Sequence, residues 1–438
     1  MVGGGLSGLA AAHRLAGMGA IPIVFEAATR PGGRVVTDEV DGYTIDVGAQ
    51  LFGGMYQRFA RLAGEVGLGG SLIRVPGRDA LWRNGRAHGV VYGSVASMVA
   101  SGGLPLGTKM RLGARYVPFL NRHAPDLDLH APELAAAADL DDESIASWGR
   151  REIDDTFVDA LVYPQLGAFY GSEPEETSAG FYHILARYGM DVSLFAVAGG
   201  AGRVAEAVAG RIRQAGGEIR LGAPVRSIQL EEGARIVCAD GSEDFDGVIS
   251  AVPAPDIADL LSGAPVPLLN WLGAVRYRPA LSLALLLDAP VRDRFFGLSF
   301  PRGETRWVAA VAIQENKGVP LVPAGMGLLV AFPTPETAPA LIDMTSREIL
   351  DRMLPEIARA FPGVEGRVRR ARVSRWPRGN PVFFPGYLAH LGAFRRGNLE
   401  GSSPLALAGD FLFGPSVEGA VTSGLDAADR LASRMRAI

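Results

Sequence analysis

The chain has almost no cysteine, very little lysine and no long apolar run, and each scarcity removes a class of protein. Cys238 is the sole cysteine, so no intramolecular disulfide can form, and no Cys/His cluster has the spacing of a metal site. The thiol lies in the strand-like run Arg235-Ile236-Val237-Cys238-Ala239, where a buried structural role is expected. No apolar stretch reaches the length that spans a bilayer, and no secretory signal pattern is found; a cytoplasmic location is expected. Lys109 and Lys317 are the only lysines, arginine carrying the rest of the positive charge, which reflects composition and implies no function. A net charge of −4 gives no reason to expect nucleic acid. No short-period repeat is present. What remains is the composition of a globular enzyme, 48% hydrophobic and 21% charged. At 438 residues the chain is too long for one ordinary core, and two domains are expected.

The most informative feature stands at the start. Gly3-Gly4-Gly5-Leu6-Ser7-Gly8 is a G-x-G-x-x-G leading into an alanine-rich helix. The apolar run Ile21-Pro22-Ile23-Val24-Phe25 follows and ends on Glu26, about 20 residues beyond the glycines, as a dinucleotide site requires. The glycines let backbone approach a pyrophosphate, and the helix N-terminus turns bare N–H groups and its positive dipole end toward it. Glu26 is suited to a ribose and would repel the 2′-phosphate of NADP. Only Met1 and Val2 precede Gly3, whereas a central strand has about five or six residues. Either the true start lies upstream or the fold holds with a stub.

A second glycine-rich element continues from Glu26: Ala27-Ala28-Thr29-Arg30-Pro31-Gly32-Gly33-Arg34, then Asp46-Val47-Gly48-Ala49-Gln50. Gly32-Gly33 removes two side chains where backbone can lie against a ligand, and Arg34 is a fixed cation suited to a pyrophosphate. An NAD-binding fold needs no such element. Near the other end, Leu405-Ala406-Leu407-Ala408-Gly409-Asp410 reads as a buried strand ending in Gly-Asp, and Val417-Glu418-Gly419-Ala420 opens the last helix.

Together these segments resemble the flavin amine oxidase and protoporphyrinogen oxidase superfamily, which also takes in carotenoid desaturases. The E-x-x-x-R-x-G-G-R segment is matched from Glu26 to Arg34, and D-x-G-A from Asp46 to Ala49. The resemblance implies FAD, held non-covalently, on Gly3, Gly5, Leu6, Ser7, Gly8, Glu26, Ala27, Gly33, Arg34, Gly48, Ala49 and Gln50. It adds Ala251 and Gly409, Val225 by backbone contact to the adenine, Asp410 at the ribityl or phosphate end, and Val417, Glu418, Gly419 and Ala420 beside the flavin pyrimidine.

The implied fold class is α/β: a discontinuous Rossmann-like FAD-binding domain over 1–75, 199–261 and 376–438, with an α+β substrate domain over 76–198 and 262–375. In the substrate domain, apolar spacing predicts helices from Glu133 to Trp148, Ile153 to Leu161 and Ser178 to Tyr188. Strands are expected within 280–332, and helical spacing resumes from Thr345 to Phe361. The basic, amphipathic segment from Tyr92 to Arg122 is a candidate for peripheral membrane contact, the commoner alternative being a solvated helix face.

Flavin chemistry asks the protein mainly to place a substrate C–H and exclude water, so no catalytic triad is expected and none is found; catalytic residues stay unassigned. Trp376 and Tyr387 are candidate walls of the substrate pocket. His13 reads as structural, His183 and His390 as better placed to face a pocket. Amine oxidases present two aromatic rings to the flavin and a lysine that reaches it through water. Here Lys317 reads as a solvated loop residue, which weakens amine oxidase as the activity, while the segment from Phe157 to Tyr170 and on to Ala179 looks more like the porphyrinogen oxidase and desaturase side. The expected activity is hydride transfer from an apolar or amine-bearing small organic substrate, with O2 or another acceptor downstream. A redox-neutral isomerase or mutase, an amine oxidase proper and a non-catalytic FAD scaffold stay open as alternatives. The second glycine cluster, Gly199-Gly200-Ala201-Gly202, lacks the full spacing, so no nicotinamide site is expected.

Overall fold

A short parallel sheet carries the glycine loop. The computed structural model describes residues 1–76, 78–91, 94–129, 134–189, 193–397, 399–401 and 403–435. In it Ile23–Glu26 pairs in parallel with Glu218–Leu221, and Val248–Ser250 with Leu405–Leu407. Val2 bridges both pairs, in parallel with Phe25 and with Ser250. Its N–H donates to Ile249 O (2.9 Å) and its carbonyl accepts from Ala251 (2.7 Å), while Phe25 N–H donates to Met1 O (2.9 Å). Two residues therefore fill the central strand's place, and Gly3 follows at the point where the sheet ends.

Three helices cover this sheet. Leu6–Gly17 buries Leu6 through Ala12 against Val417–Met435 and Gly202–Gln214. Small residues let the first and last helices approach closely: Ala10, Ala11, Ala427 and Ala428 are fully buried, and a Cβ on Gly424 would stand 2.1 Å from Ser7 O.

The second sheet has seven strands, in the order Val368–Pro381, Tyr277–Leu287, Gly327–Pro333, Val308–Ile313, Gly297–Ser299, Arg78–Arg83 and Arg86–Val91. All neighbours are antiparallel except Gly297–Ser299 beside Arg78–Arg83. The period-2 alternation of a strand sorts its side chains. Leu281, Leu283, Leu285 and Leu287 join the core under the Ser346–Ala360 helix, and Ala284 and Leu286 face the hairpin Thr37–Val40/Tyr43–Asp46. The Ser346–Ala360 helix starts on a capping box between Thr345 and Glu348.

The helical layer differs from the expected spans. Glu133 lies outside the described residues, and the run expected from it to Trp148 is broken. Ala135–Leu140 is 3-10, and a separate helix, Ile145–Glu152, starts on the Ser144 cap, since an N-cap hydroxyl ends one helix as it begins another. Asp154 caps the next, which runs from Asp155–Phe157 through a π turn into Tyr163–Tyr170. Of the basic segment, Tyr92 lies outside the described residues. Leu106–Arg111, Leu112–Tyr116 and Val117–Arg122 follow one another as helix, with Leu106 and Met110 exposed and Arg111 paired with Asp154 (2.7 Å). No helix among the described residues is long and apolar enough to cross a membrane.

Candidate cofactor site

The glycine loop is shaped by what its residues lack. A Cβ on Gly8 would lie 2.0 Å from Gly3 O, and one on Gly3 would lie 3.1 Å from the Ala251 carbonyl; Gly3 also takes φ +101°, open to glycine. Gly33, at φ +59°, sits 3.2 Å from Gly5 Cα by the same measure, and Gly5 alone faces open space. Gly5 caps the Leu6–Gly17 helix without any side-chain hydrogen bond to its first turn, and the Ser7 hydroxyl in that turn is buried with no partner. Bare helix N–H groups, an orphaned hydroxyl and an open face at Gly5 fit a pyrophosphate.

Glu26 organises this loop. Its carboxylate accepts from Gly4 N–H (2.6 Å) and Ala28 N–H (2.8 Å). Ala27 lies between those contacts, and Ala223 N–H donates to Glu26 O (2.9 Å), which leads the chain on to Val225 beside the same strand end.

Arg34 and Asp410, 376 residues apart, meet in a two-point pair at 2.6 and 3.0 Å. Asp410 is buried, and Arg34 also donates to Gly379 O. Burial disfavours the guanidinium's charge, and Asp410 more than offsets it, so its pKa is raised. Tyr277 belongs to the same group: burial, then Asp410, raises its phenol pKa. Gly409 donates to Ser423 Oγ (2.7 Å). Gly48 packs on Arg34, a Cβ there falling 2.0 Å from Arg34 O, and Ala49 N–H donates to that oxygen (3.1 Å).

The start of Val417–Met435 is held by Ser416, which accepts from Gly419 and Ala420 (both 3.0 Å). The Glu418 side chain turns away from this end. Its carboxylate accepts from Arg58 and Phe59 N–H (both 2.9 Å) and caps Gln57–Glu65. Gln50 is likewise engaged: its Oε1 accepts from Gln314 (2.7 Å) and Lys317 (2.9 Å).

A narrow cleft opens beside Gly414, Pro415 and Ser416. Met55, Tyr56, Leu129, Tyr170, Phe181 and Leu185 form its other walls, with room for about one water, ≈ 10 Å³. Burial pushes the Tyr56 phenol up to about 12. A larger depression of ≈ 530 Å³ beside Arg78, Asp293 and Arg294 is open to solvent and contains none of the motif residues.

The structure places five further candidates and corrects the expectation for those it buries in the core. Tyr387 is fully buried, its ring packed on Phe383 and Phe384 and its hydroxyl donated to Phe411 O (2.9 Å). It props the Gly-Asp turn from the core, because an aromatic with one main-chain acceptor in reach buries well. Trp376 packs on the hairpin side of the seven-stranded sheet and is absent from the cleft wall. His183 is enclosed by Tyr116, Phe119 and Trp148. Its Nδ1 meets the Tyr116 hydroxyl (3.0 Å), and burial lowers its pKa to about 3. His390 stacks on Trp271 (4.7 Å, 5°). Lys317, expected in solvent, is fully buried, since the turn carrying it closes over Gln50. Cys238 is half-buried, and His13 lies 3.3 Å from Glu65. Among the described residues no cluster could hold a metal. Sequence reasoning missed Tyr56, Tyr170, Phe181 and Tyr277, whose roles depend on packing between distant segments.

The family described as flavin containing amine oxidoreductase matches residues 6–432. The chain is 28% identical over 281 residues to a Mycobacterium tuberculosis protein named flavin-containing monoamine oxidase AofH, a match covering 61% of this chain and 59% of that one. It thus spans well under two thirds of that relative. It is 26% identical to the coproporphyrinogen III oxidase of the same organism, over 99% of this chain and 98% of the other. Among solved structures, putrescine oxidase bound to putrescine superposes with a TM-score of 0.77 at 22% identity, over 100% of this chain and 98% of that one.

Proposed function

The chain belongs to the family of flavin containing amine oxidoreductases, and from that premise we propose that it is an oxidoreductase that holds FAD non-covalently and oxidises an uncharged or singly charged organic substrate. The observation that carries this reading is the meeting of Arg34 and Asp410 from opposite ends of the chain, beside a glycine loop open only at Gly5.

FAD held there would supply the electron acceptor for substrate oxidation. The Gly3–Gly8 loop and the start of Leu6–Gly17 hold the pyrophosphate through main-chain N–H groups. Glu26 orders the loop and stands where a ribose hydroxyl can donate to it. Arg34 neutralises Asp410, which would otherwise repel the phosphates. The Val417 helix start would offer its positive dipole end to negative charge on the flavin. Cys238, the only thiol, lies on the Ala234–Cys238 strand paired with Gly241–Phe245.

The cleft walls narrow the substrate class. Met55, Leu129, Leu185 and three aromatic rings exclude water and orient an apolar body. Among the described residues, no carboxylate lines the cleft to hold a diammonium such as putrescine, and no cation lines it to hold the carboxylates of a coproporphyrinogen. Burying such charges unpaired is costly. The chemistry of these walls, and not their volume of about one water, favours a neutral apolar molecule or an apolar monoamine.

The test is anaerobic mixing of the FAD-loaded protein with apolar monoamines, dehydrogenatable apolar compounds, putrescine, coproporphyrinogen, NADH and NADPH. Saturable flavin bleaching by a member of the first two groups is expected, with only slow, unsaturable bleaching by the nucleotides. Turnover without lasting bleaching would replace the reading with a redox-neutral isomerase. Rapid, saturable reduction by NADH or NADPH would overturn it in favour of a reductase.

A further inference from the structure

Lys317 is buried without an evident folding reason. Basic positions in this chain are almost all arginine, yet a lysine closes the single 3-10 turn Gln314–Lys317 that leaves the Val308–Ile313 strand, and it is 0% exposed. An ammonium so placed is costly, and an apolar residue of similar size would be cheaper for folding alone. Its hydrogen bond leads to one place. Nζ donates to Gln50 Oε1 (2.9 Å), the same oxygen accepts from Gln314 Nε2 (2.7 Å), and Gln50 Nε2 donates to Asp46 O (3.2 Å). Asp46 is the charged group that acts on it. That carboxylate accepts from Thr37 Oγ1 (2.6 Å) and Ala201 N–H (2.8 Å) through one oxygen, while its other oxygen is buried with no partner, as is Gln314 Oε1. Glu315, on the same turn, points instead to the N–H groups of Val291 and Leu328. The turn from Asp46 to Gln50 is also the one whose Gly48 and Ala49 rest on the Arg34 carbonyl, and Arg34 grips Asp410.

We propose that Lys317 is a positioning residue for the cofactor, acting through Gln50 to hold the Asp46–Gln50 turn, and with it Arg34, in the geometry that binds FAD. The inference rests on the FAD reading above. The charge of Lys317 is set in the neutral range: burial lowers its pKa to about 7, and Asp46 opposes that fall. FAD affinity should therefore change slope near that pH.

The experiment measures the FAD dissociation constant by flavin fluorescence quenching, between about pH 6 and 9, for wild type, Lys317→Met, Gln50→Leu and the double variant. Wild type is expected to bind FAD with a break near pH 7. Lys317→Met and Gln50→Leu should each weaken binding about tenfold and lose the break, and the double variant should be no weaker than the worse single one. A melting temperature for Lys317→Met at or above wild type would separate positioning from folding. Wild-type affinity and an unchanged pH profile in Lys317→Met, or effects that add fully in the double variant, would overturn the proposal while leaving the FAD reading intact. Failure of wild type to bind FAD would sink the reading itself, and the proposal with it. Should Lys317→Met not fold, the wild-type pH profile decides alone: a flat profile contradicts the role.

Discussion

At the scale of single residues, glycine decides where a cofactor can lie. Gly8 has no space for a side chain, its Cβ position being 2.0 Å from Gly3 O, so Gly8→Val must push the loop off the helix end. The variant is expected to lose about 1–3 kcal/mol of stability through overpacking and to purify without FAD. The ratio of flavin to protein absorbance measures this, and full occupancy would contradict the loop's role. The glycines, Glu26, Arg34 and Asp410 were legible in the sequence because main-chain approach and fixed charge demand particular residue types at particular spacings. Lys317 was not legible. Its burial depends on Gln50, 267 residues away, and a lysine between Asn316 and Gly318 reads as solvated until the sheet closes over it. Tyr387 shows the reverse error: an aromatic near a site motif reads equally as wall or core, and only the hydroxyl's bond to Phe411 O assigns it to the core.

At the scale of elements, helix starts join the parts of the molecule. Glu418 on the last helix caps Gln57–Glu65, and Asp141 reaches across to cap Tyr387–Arg396, accepting from Leu388 N–H (2.6 Å). Burial raises the Asp141 carboxyl to about 6, against a usual 3.8. The folded protein therefore keeps this proton where the unfolded chain has lost it. Stability from this group is fully present below about pH 4, falls as pH rises through that window, and is lost above about pH 6. Asp141→Asn should remove that slope. The measurement is the difference in melting temperature between wild type and variant from about pH 4 to 7; parallel curves would contradict the assignment. Long periodic elements were legible, such as the Ser346–Ala360 helix and the leucine-rich Tyr277–Leu287 strand. The break at Ser144 was not, because a capping side chain competes with apolar spacing that runs straight through it.

At the scale of the whole molecule, the cofactor reading depends on four distant segments arriving at one edge of a small parallel sheet. The Gly3 loop, the Asp46–Gln50 turn, the Ala251 strand end and the Gly409-Asp410 turn belong to separate stretches of chain, and the seven-stranded sheet presses Gln314 and Lys317 against the second of them. The second glycine cluster serves this packing too: a Cβ on Gly200 would fall 2.4 Å from Thr37, and Gly202 N–H donates to Thr37 Oγ1 (2.8 Å). The central claim is that this edge binds one FAD without a covalent bond. Its most direct test is to saturate the protein with FAD, remove the excess, denature with acid, and assay flavin in the supernatant and the precipitate. The account predicts one FAD released per chain and none in the precipitate. Flavin that stays with the precipitated protein, or no flavin retained at all, would contradict it.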